Sequence, residues 1–356
     1  MSVVLDNPQY VLSPTDPRAR VVTLLESLTQ DSEKNIAWFK EYFHGREHAT
    51  FLALDSPRGP LAVSVIEDNR SCYRVLIRNT QGGERVTVPV SAIPTTWIRR
   101  LLGMRPTASA ALHTIADKVP VDNLTLTRNA RLAHELLMMD ERQVIRSYKF
   151  GICYLKAGQT TETEMLENDW EDTSPAFRKF LDFIGERIRL KGWKGYRAGL
   201  DVREDHTGTH SVFARLQNYE VMFHVAPMLP GRITDGQRID RKRHIGNDIV
   251  LIIFQDDPSS GAFRLSSIRS KQNHIICFVS PKNNGFELLI SPRKEVPYFT
   301  PDLPEPPVIG TDATSREFLL HKLINGERAS YKAPIFASKI TRTRSVLLYD
   351  VIDRYL

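Results

Sequence analysis

The second half of this chain carries six short apolar runs of strand length, at 148–155, 212–216, 220–225, 249–254, 275–279 and 286–290, rich in β-branched and aromatic residues. One helix interrupts them. Ser174-Pro175 supplies an N-cap and a first-turn proline. Phe177, Phe180, Leu181, Ile184 and Ile188 follow as its apolar face, and Gly192 lies just past its end. A proline-rich crossing at 297–307 leads into two closing helices near 315–327 and 335–355. Strands and amphipathic helices in this order must cover one another in layers. The predicted architecture is α/β, a mixed central sheet flanked by helices.

The first half reads differently. Val21, Leu24, Leu25 and Leu28 share one helical face, and Ile36, Trp38, Phe39, Tyr42 and Phe43 share another, so two helices are expected over 18–43. A strand meander follows at 61–66, 72–77 and 85–90, turning at Gln81-Gly82-Gly83, and helical stretches are expected at 95–102 and 123–139. This α+β half clusters no catalytic residue types and reads as a support or self-association domain. The first 17 or so residues, rich in Pro, Asn and Asp, read as an arm. At roughly 100–200 residues per domain, the 356 residues divide into 1–146 and 147–356.

Composition excludes several classes. Cys72, Cys153 and Cys277 are odd in number, far apart and set in apolar runs without zinc spacing, so they read as buried free thiols of a reducing compartment. The N-terminus lacks the pattern of a signal peptide, and no run approaches ~18 apolar residues. A cytoplasmic protein is expected. A net charge of +6 and a pI near 9.1 favour an acidic partner. Aromatics are not interleaved with the basic residues and no nucleic-acid motif occurs, which argues against nucleic acid.

Common phosphate-loop, dinucleotide, nucleophile-elbow and zinc-protease signatures are absent, so no nucleotide, cofactor or metal site of its own is expected. His206 and His210 sit beside Gly208 in an expected loop or turn, where helical spacing does not bring two imidazoles together. The acidic run Glu162, Glu164, Glu167, Asp169, Glu171 and Asp172 reads as a solvated loop. The most unusual segment is 240–250. Read as a short helix capped by Asp240, it places Ile245 and Ile249 on a docking face and Asn247 opposite, beside Arg243 and His244. Gly246 would let another backbone approach closely. An exposed carboxamide donates and accepts at once, and framed by cations it is suited to hold a water against a phosphate. The alternative is a basic surface helix or nuclear-import patch at Arg241-Lys242-Arg243.

Arg241-Lys242-Arg243-His244-Ile245-Gly246-Asn247-Asp248-Ile249-Val250, followed by Ile253-Phe254-Gln255-Asp256, closely resembles the signature of the Rap GTPase-activating protein family. Lys149-Phe150-Gly151, Gly199-Leu200-Asp201-Val202, Val221-Met222-Phe223-His224-Val225 and Arg342-Thr343-Arg344 are similar in the same order. Tyr42-Phe43-His44-Gly45-Arg46-Glu47-His48 resembles the family's N-terminal dimerisation domain. The resemblance implies stimulation of GTP hydrolysis on a Rap-type small GTPase, with Asn247 supplied in trans as an "Asn thumb" and no arginine finger. It implies His244 as a catalytic-site partner, and Lys149, Lys242, Arg243 and Arg342 as GTPase-binding cations. GTP and Mg²⁺ then belong to the partner, the chain is expected to form a homodimer, and membranes are met only through the lipidated GTPase. Alternatives are action on Rheb or Ral, or a non-catalytic GTPase-binding scaffold. His210 and the basic loop 257–270 depart from the family pattern, which bears on GTPase preference.

Overall fold

The structure, a computed structural model, describes residues 2–22, 28–95, 97, 101–120, 122, 124–231, 239–259 and 261–356. The helix expected from Arg18 does not begin there: residues 18–22 are not helical, and 23–27 lie outside the described residues, as does half of the stretch at 95–102. Two compact units emerge, and neither is a continuous stretch: residues 1–28 with 145–336, and residues 29–144 with 337–356. The crossing between 144 and 145 lies close to the expected boundary, but both chain ends are exchanged relative to a division into 1–146 and 147–356.

The unit built on 29–144 is an antiparallel sheet of five strands, β1 (Ala49–Ala53), β2 (Leu61–Asp68), β3 (Cys72–Asn79), β4 (Gly82–Pro89) and β5 (Thr125–Thr127), in the order β4-β3-β2-β1-β5. Helices α1 (Asp31–Tyr42), α2 (Ala108–His113) and α3 (Ala130–Arg142) complete it. The stretch expected at 123–139 begins later because Asn129 caps it, its side chain accepting from the amides of Arg131 and Leu132. The closing helix Pro334–Asp353 contributes Leu348, Val351 and Ile352 to a core with Leu52, Leu132, Leu136 and Met139. Its Arg344 donates to the carbonyls of Asn79 and Gly82. Apolar burial and a buried guanidinium together draw this helix to residues distant in sequence.

The other unit holds an eight-stranded mixed sheet: β6 (Ser147–Leu155), β7 (Glu186–Arg189), β8 (His210–Leu216), β9 (Tyr219–Val225), β10 (Val250–Gln255), β11 (Ile275–Lys282), β12 (Gly285–Pro292) and β13 (Val308–Ile309), ordered β13-β12-β11-β10-β6-β9-β8-β7. The four central strands run parallel and antiparallel pairs flank them. The expected α/β architecture is what the structure has. Alternation along β6 divides the core. Tyr148, Phe150, Ile152 and Tyr154 join the cluster containing Phe177, Phe180, Phe318 and Leu319. Cys153 and Leu155 join the cluster containing Ile245, Leu251 and Phe263. Helices α4 (Glu162–Glu167), α5 (Pro175–Ile184), α6 (Ile239–Ile245) and α7 (Ala313–Ser330) cover the sheet faces.

Three expectations change. Helix α5 stops at Ile184, and Ile188 lies in edge strand β7 opposite Ser211. A Cβ on Gly185 would sit 2.6 Å from the carbonyl oxygen of Phe213, so only glycine allows the chain to turn against β8 there. The acidic run is not simply a solvated loop: Thr161 and Glu164 form a capping box that starts α4, with Met165 and Leu166 buried. The N-terminal arm is woven into this unit. Val3–Val4 pairs in parallel with Phe263–Arg264, Thr15–Asp16 with Leu303–Pro304, and Tyr10 bridges Arg293.

Candidate functional site

The segment singled out in the sequence lies between α6 and β10. Helix α6 ends at Ile245, four residues before Ile249, and Gly246-Asn247 form a turn. The amide of Gly246 donates to Lys242 O at 2.8 Å and that of Asn247 to His244 O at 3.1 Å. A Cβ on Gly246 would lie 2.6 Å from the same Lys242 oxygen. The glycine is therefore required by the helix's own last turn rather than by an approaching chain. Asn247 is exposed, and its Nδ2 folds back to donate to Arg243 O at 2.7 Å. Its Oδ1 has no hydrogen-bond partner among the described residues. The predicted outward carboxamide is present, aimed by a turn rather than by helix phase.

Four consecutive carbonyls of this turn each accept from a side chain. Asn273 Nδ2 donates to Ile245 O at 3.1 Å and to Asp248 O at 2.6 Å. Ser270 Oγ donates to Gly246 O at 2.6 Å, and Lys149 Nζ to Asn247 O at 2.6 Å. Lys149 also bonds Asp248 Oδ1 at 2.9 Å, and Asp248 Oδ2 meets His224 Nδ1 at 2.8 Å. Asp248 is fully buried, with its two oxygens shared between these partners. Gly151 makes room for the arrangement: a Cβ there would lie 3.2 Å from Asp248 Oδ2 and 3.3 Å from Ile245 Cδ1.

The three consecutive cations differ sharply. Arg241 is buried and donates to Leu229 O, Leu166 O and Asn168 O at 2.8–3.1 Å and to Asp169 Oδ1 at 2.5 Å. It anchors α6 and gives the acidic run a structural role. Lys242 is half-buried and Arg243 exposed. With Glu162, Asn247 and Arg269 they line a depression of about 230 Å³. The His244 ring meets that of His224 edge-on, centroids 5.0 Å apart. Burial, reinforced by His224, pushes the His244 imidazole down to about 4, so it is neutral at pH 7.

The sequence profile described as Rap/ran-GAP matches residues 165–345 of this chain. The chain belongs to the Rap/Ran-GAP family. Among its relatives are the human "GTPase-activating Rap/Ran-GAP domain-like protein 3", 38% identical over 90% of this chain and 31% of that protein, and the human "Signal-induced proliferation-associated 1-like protein 2", 36% identical over 90% of this chain and 19% of that protein. The chain thus spans about a third or less of the curated relatives it matches. A solved structure described as "Structure of the TSC2 GAP domain" is 28% identical, covering 54% of this chain and 99% of that one with a TM-score of 0.45.

The Rap/Ran-GAP match includes Lys242, Arg243, His244, Asn247 and Arg342 and leaves out Lys149. The structure brings Lys149, Lys242, Arg243, His244 and Asn247 together. Arg342 is exposed on the closing helix and belongs to the other unit. Along that helix Ile340 and Leu347 are exposed, and Leu348, Val351 and Ile352 are buried. Lys149, expected as a GTPase-binding cation, is tied to Asn247 O and Asp248. Sequence reasoning did not assign roles to Arg241, Asp248, Ser270 and Asn273. The first two lie inside the motif, where a buried charge is hard to tell from a solvated one. Ser270 and Asn273 reach the turn only because β11 pairs with β10.

Among the described residues no helix is long and apolar enough to cross a membrane.

Proposed function

We propose that this chain stimulates GTP hydrolysis by a Rap-type small GTPase, with Asn247 entering the partner's nucleotide site to orient the attacking water. The observation that carries the reading is an exposed Asn247 carboxamide on a turn whose carbonyls from Ile245 to Asp248 are all held. One Nδ2 hydrogen is engaged with Arg243 O. The second hydrogen and Oδ1 remain to donate to and accept from a water. GTP and Mg²⁺ are the partner's in this reading, and Lys242, Arg243 and Arg342 meet its acidic surface. Self-association through the 29–144 unit belongs to the same reading, supported by the exposure of Trp97, Leu101, Leu102 and Met104. A monomer in sedimentation at micromolar concentration would remove that part.

Activators of Ras-like GTPases accelerate hydrolysis by up to ~10⁵-fold, which corresponds to about 7 kcal/mol. One positioned hydrogen-bonding group in a water-excluded site supplies ~3–4 kcal/mol. The remainder is assigned to ordering of the GTPase's own loops. In single-turnover hydrolysis on GTP-loaded Rap, Ral and Rheb, wild type accelerates Rap. Asn247→Ala loses nearly all of that acceleration while retaining binding, whereas Lys242→Ala and Arg342→Ala weaken binding and lower its salt dependence. Equal rates with wild type and Asn247→Ala would sink the assignment.

A further inference from the structure

Resting on that reading of Asn247, we infer that Asn273, together with Tyr10 of the N-terminal arm and Arg293, forms a clamp that positions the Asn247 turn for the reaction. The profile match begins at residue 165, so Tyr10 lies outside the residues that define the family here.

The clamp has two layers. In the inner layer, the single Nδ2 of Asn273 bridges Ile245 O and Asp248 O, the two carbonyls that bracket Gly246-Asn247. Ser270 Oγ holds Gly246 O between them and accepts from the amide of Gln272 at 3.0 Å. In the outer layer, the backbone of this support is fixed in turn. Tyr10 Oη donates to Asn273 O at 2.8 Å, and Arg293 Nε donates to the same oxygen at 2.9 Å. Arg293 Nη2 donates to Ser270 O at 2.8 Å and Nη1 to Gln9 Oε1 at 3.0 Å. The guanidinium carbon lies 5.2 Å from the Tyr10 ring centroid. Tyr10 is 5% exposed, Arg293 9%, and Asn273 fully buried, so these bonds do not compete with bulk water.

The arm is held along its length. The amide of Val11 donates to Pro292 O, that of Ser13 to Ile290 O, and that of Lys294 to Gln9 O. Asp6 accepts from the amide and hydroxyl of Ser266, each at 2.7 Å. Ser270 borders the depression beside Asn247, whereas Tyr10, Asn273 and Arg293 do not line it, so these three act through the turn and not on a bound GTPase. A misplacement of about 1 Å at a reacting group costs on the order of 10²-fold in rate. Loss of the Asn273 amide releases two of the four turn carbonyls at once. Loss of the Tyr10 hydroxyl leaves Asn273 O with Arg293 alone.

The test uses the full chain. Asn273→Ala and Tyr10→Phe are compared with wild type and with Asp182→Asn, an exposed position on α5 outside the clamp. Two quantities are read: the maximal single-turnover rate and half-saturating activator concentration on GTP-loaded Rap, and amide hydrogen exchange at Gly246, Asn247 and Asp248 in the free protein. The expected result is a maximal rate lowered ~10–100-fold in Asn273→Ala and several-fold in Tyr10→Phe. Half-saturation should stay within about two-fold, a split that global destabilisation would not give, and exchange at the three amides should be faster. Unchanged exchange overturns the inference, as does an unchanged maximal rate beside a responsive wild type. A wild type that accelerates none of Rap, Ral and Rheb, with exchange still raised in the variants, overturns the GTPase reading and leaves the clamp.

Discussion

At the scale of single residues, the segment 241–248 separates side chains that the sequence presents as alike. Arg241 and Arg243 are two positions apart in a basic run, yet one is buried among four acceptor groups and the other is exposed. Nothing local to the sequence distinguishes them, because the acceptors come from Leu166 to Asp169 and from Leu229. Asn247 was legible, since a carboxamide amid cations is conspicuous, but the bond from its Nδ2 to Arg243 O depends on where the helix stops. His244 gives a pH prediction. Its folded value of about 4 lies below the ordinary 6.5. Between those values the unfolded chain binds more protons, so stability falls as pH drops from 6.5 toward 4. Glu327 acts in the opposite sense, its buried carboxyl being pushed up to about 7. Comparing wild type with His244→Gln isolates the histidine. Chemical denaturation at pH 7 and pH 5 is expected to show a smaller acid-side loss in the variant. The ratio of their hydrolysis rates on a GTPase should stay flat from pH 6 to pH 8.

At the scale of elements, the turn between α6 and β10 is legible only in outline. A helical reading through Ile249 accounts for Ile245 facing inward, but the chain leaves the helix at Gly246 and Ile249 belongs to the approach to β10. Periodicity cannot register that change, because Ile245 and Ile249 keep helical spacing whether or not the helix continues. The strands are more legible. Their apolar runs are forced by burial in the central sheet, and β6, β10 and β11 fall where β-branched and aromatic residues cluster. Gly151 connects the two observations. It sits on β6 opposite His224 and Leu251, beneath Asp248 and Ile245. Gly151→Ala places a methyl at 3.2–3.3 Å from three side-chain atoms of this packing. The expected cost is about 1–3 kcal/mol of stability, with a larger proportional loss of GTPase stimulation than of binding. Denaturant unfolding alongside single-turnover kinetics checks both. A variant as stable and as active as wild type would show that the strand and turn have slack.

At the scale of the whole molecule, chain order and unit membership part company. Composition and length favour two consecutive domains divided near residue 146. What length cannot reveal is that the ends exchange: residues 1–28 join the large mixed sheet, and 337–356 join the five-stranded one. The closing helix shows why. Its buried positions Arg344, Leu348, Val351 and Ile352 complete a core with residues between Leu52 and Met139. Arg344 and Arg78 both pair with buried Asp140. A protein ending at residue 336 is therefore expected to lose the cooperative unfolding of the 29–144 unit. Removing a buried partner and several large apolar side chains costs more than a typical domain's ~5–15 kcal/mol margin readily absorbs. Near-ultraviolet circular dichroism and a thermal melt of the truncated and full chains would reveal it, and an unaltered melt would contradict the division.

The woven arm also sets an order of assembly. Tyr10 is separated from Asn273 by 263 residues. At synthesis rates of ~5–20 residues per second, the arm emerges roughly 10–50 s before the residues it will join exist. Residues 29–144 are made within that interval, and their unit stays incomplete until the closing helix arrives. Neither unit can mature strictly as it leaves the ribosome. Over that interval a nascent chain holds an unpaired arm, and it acquires a braced Asn247 turn only once residues near 293 are available.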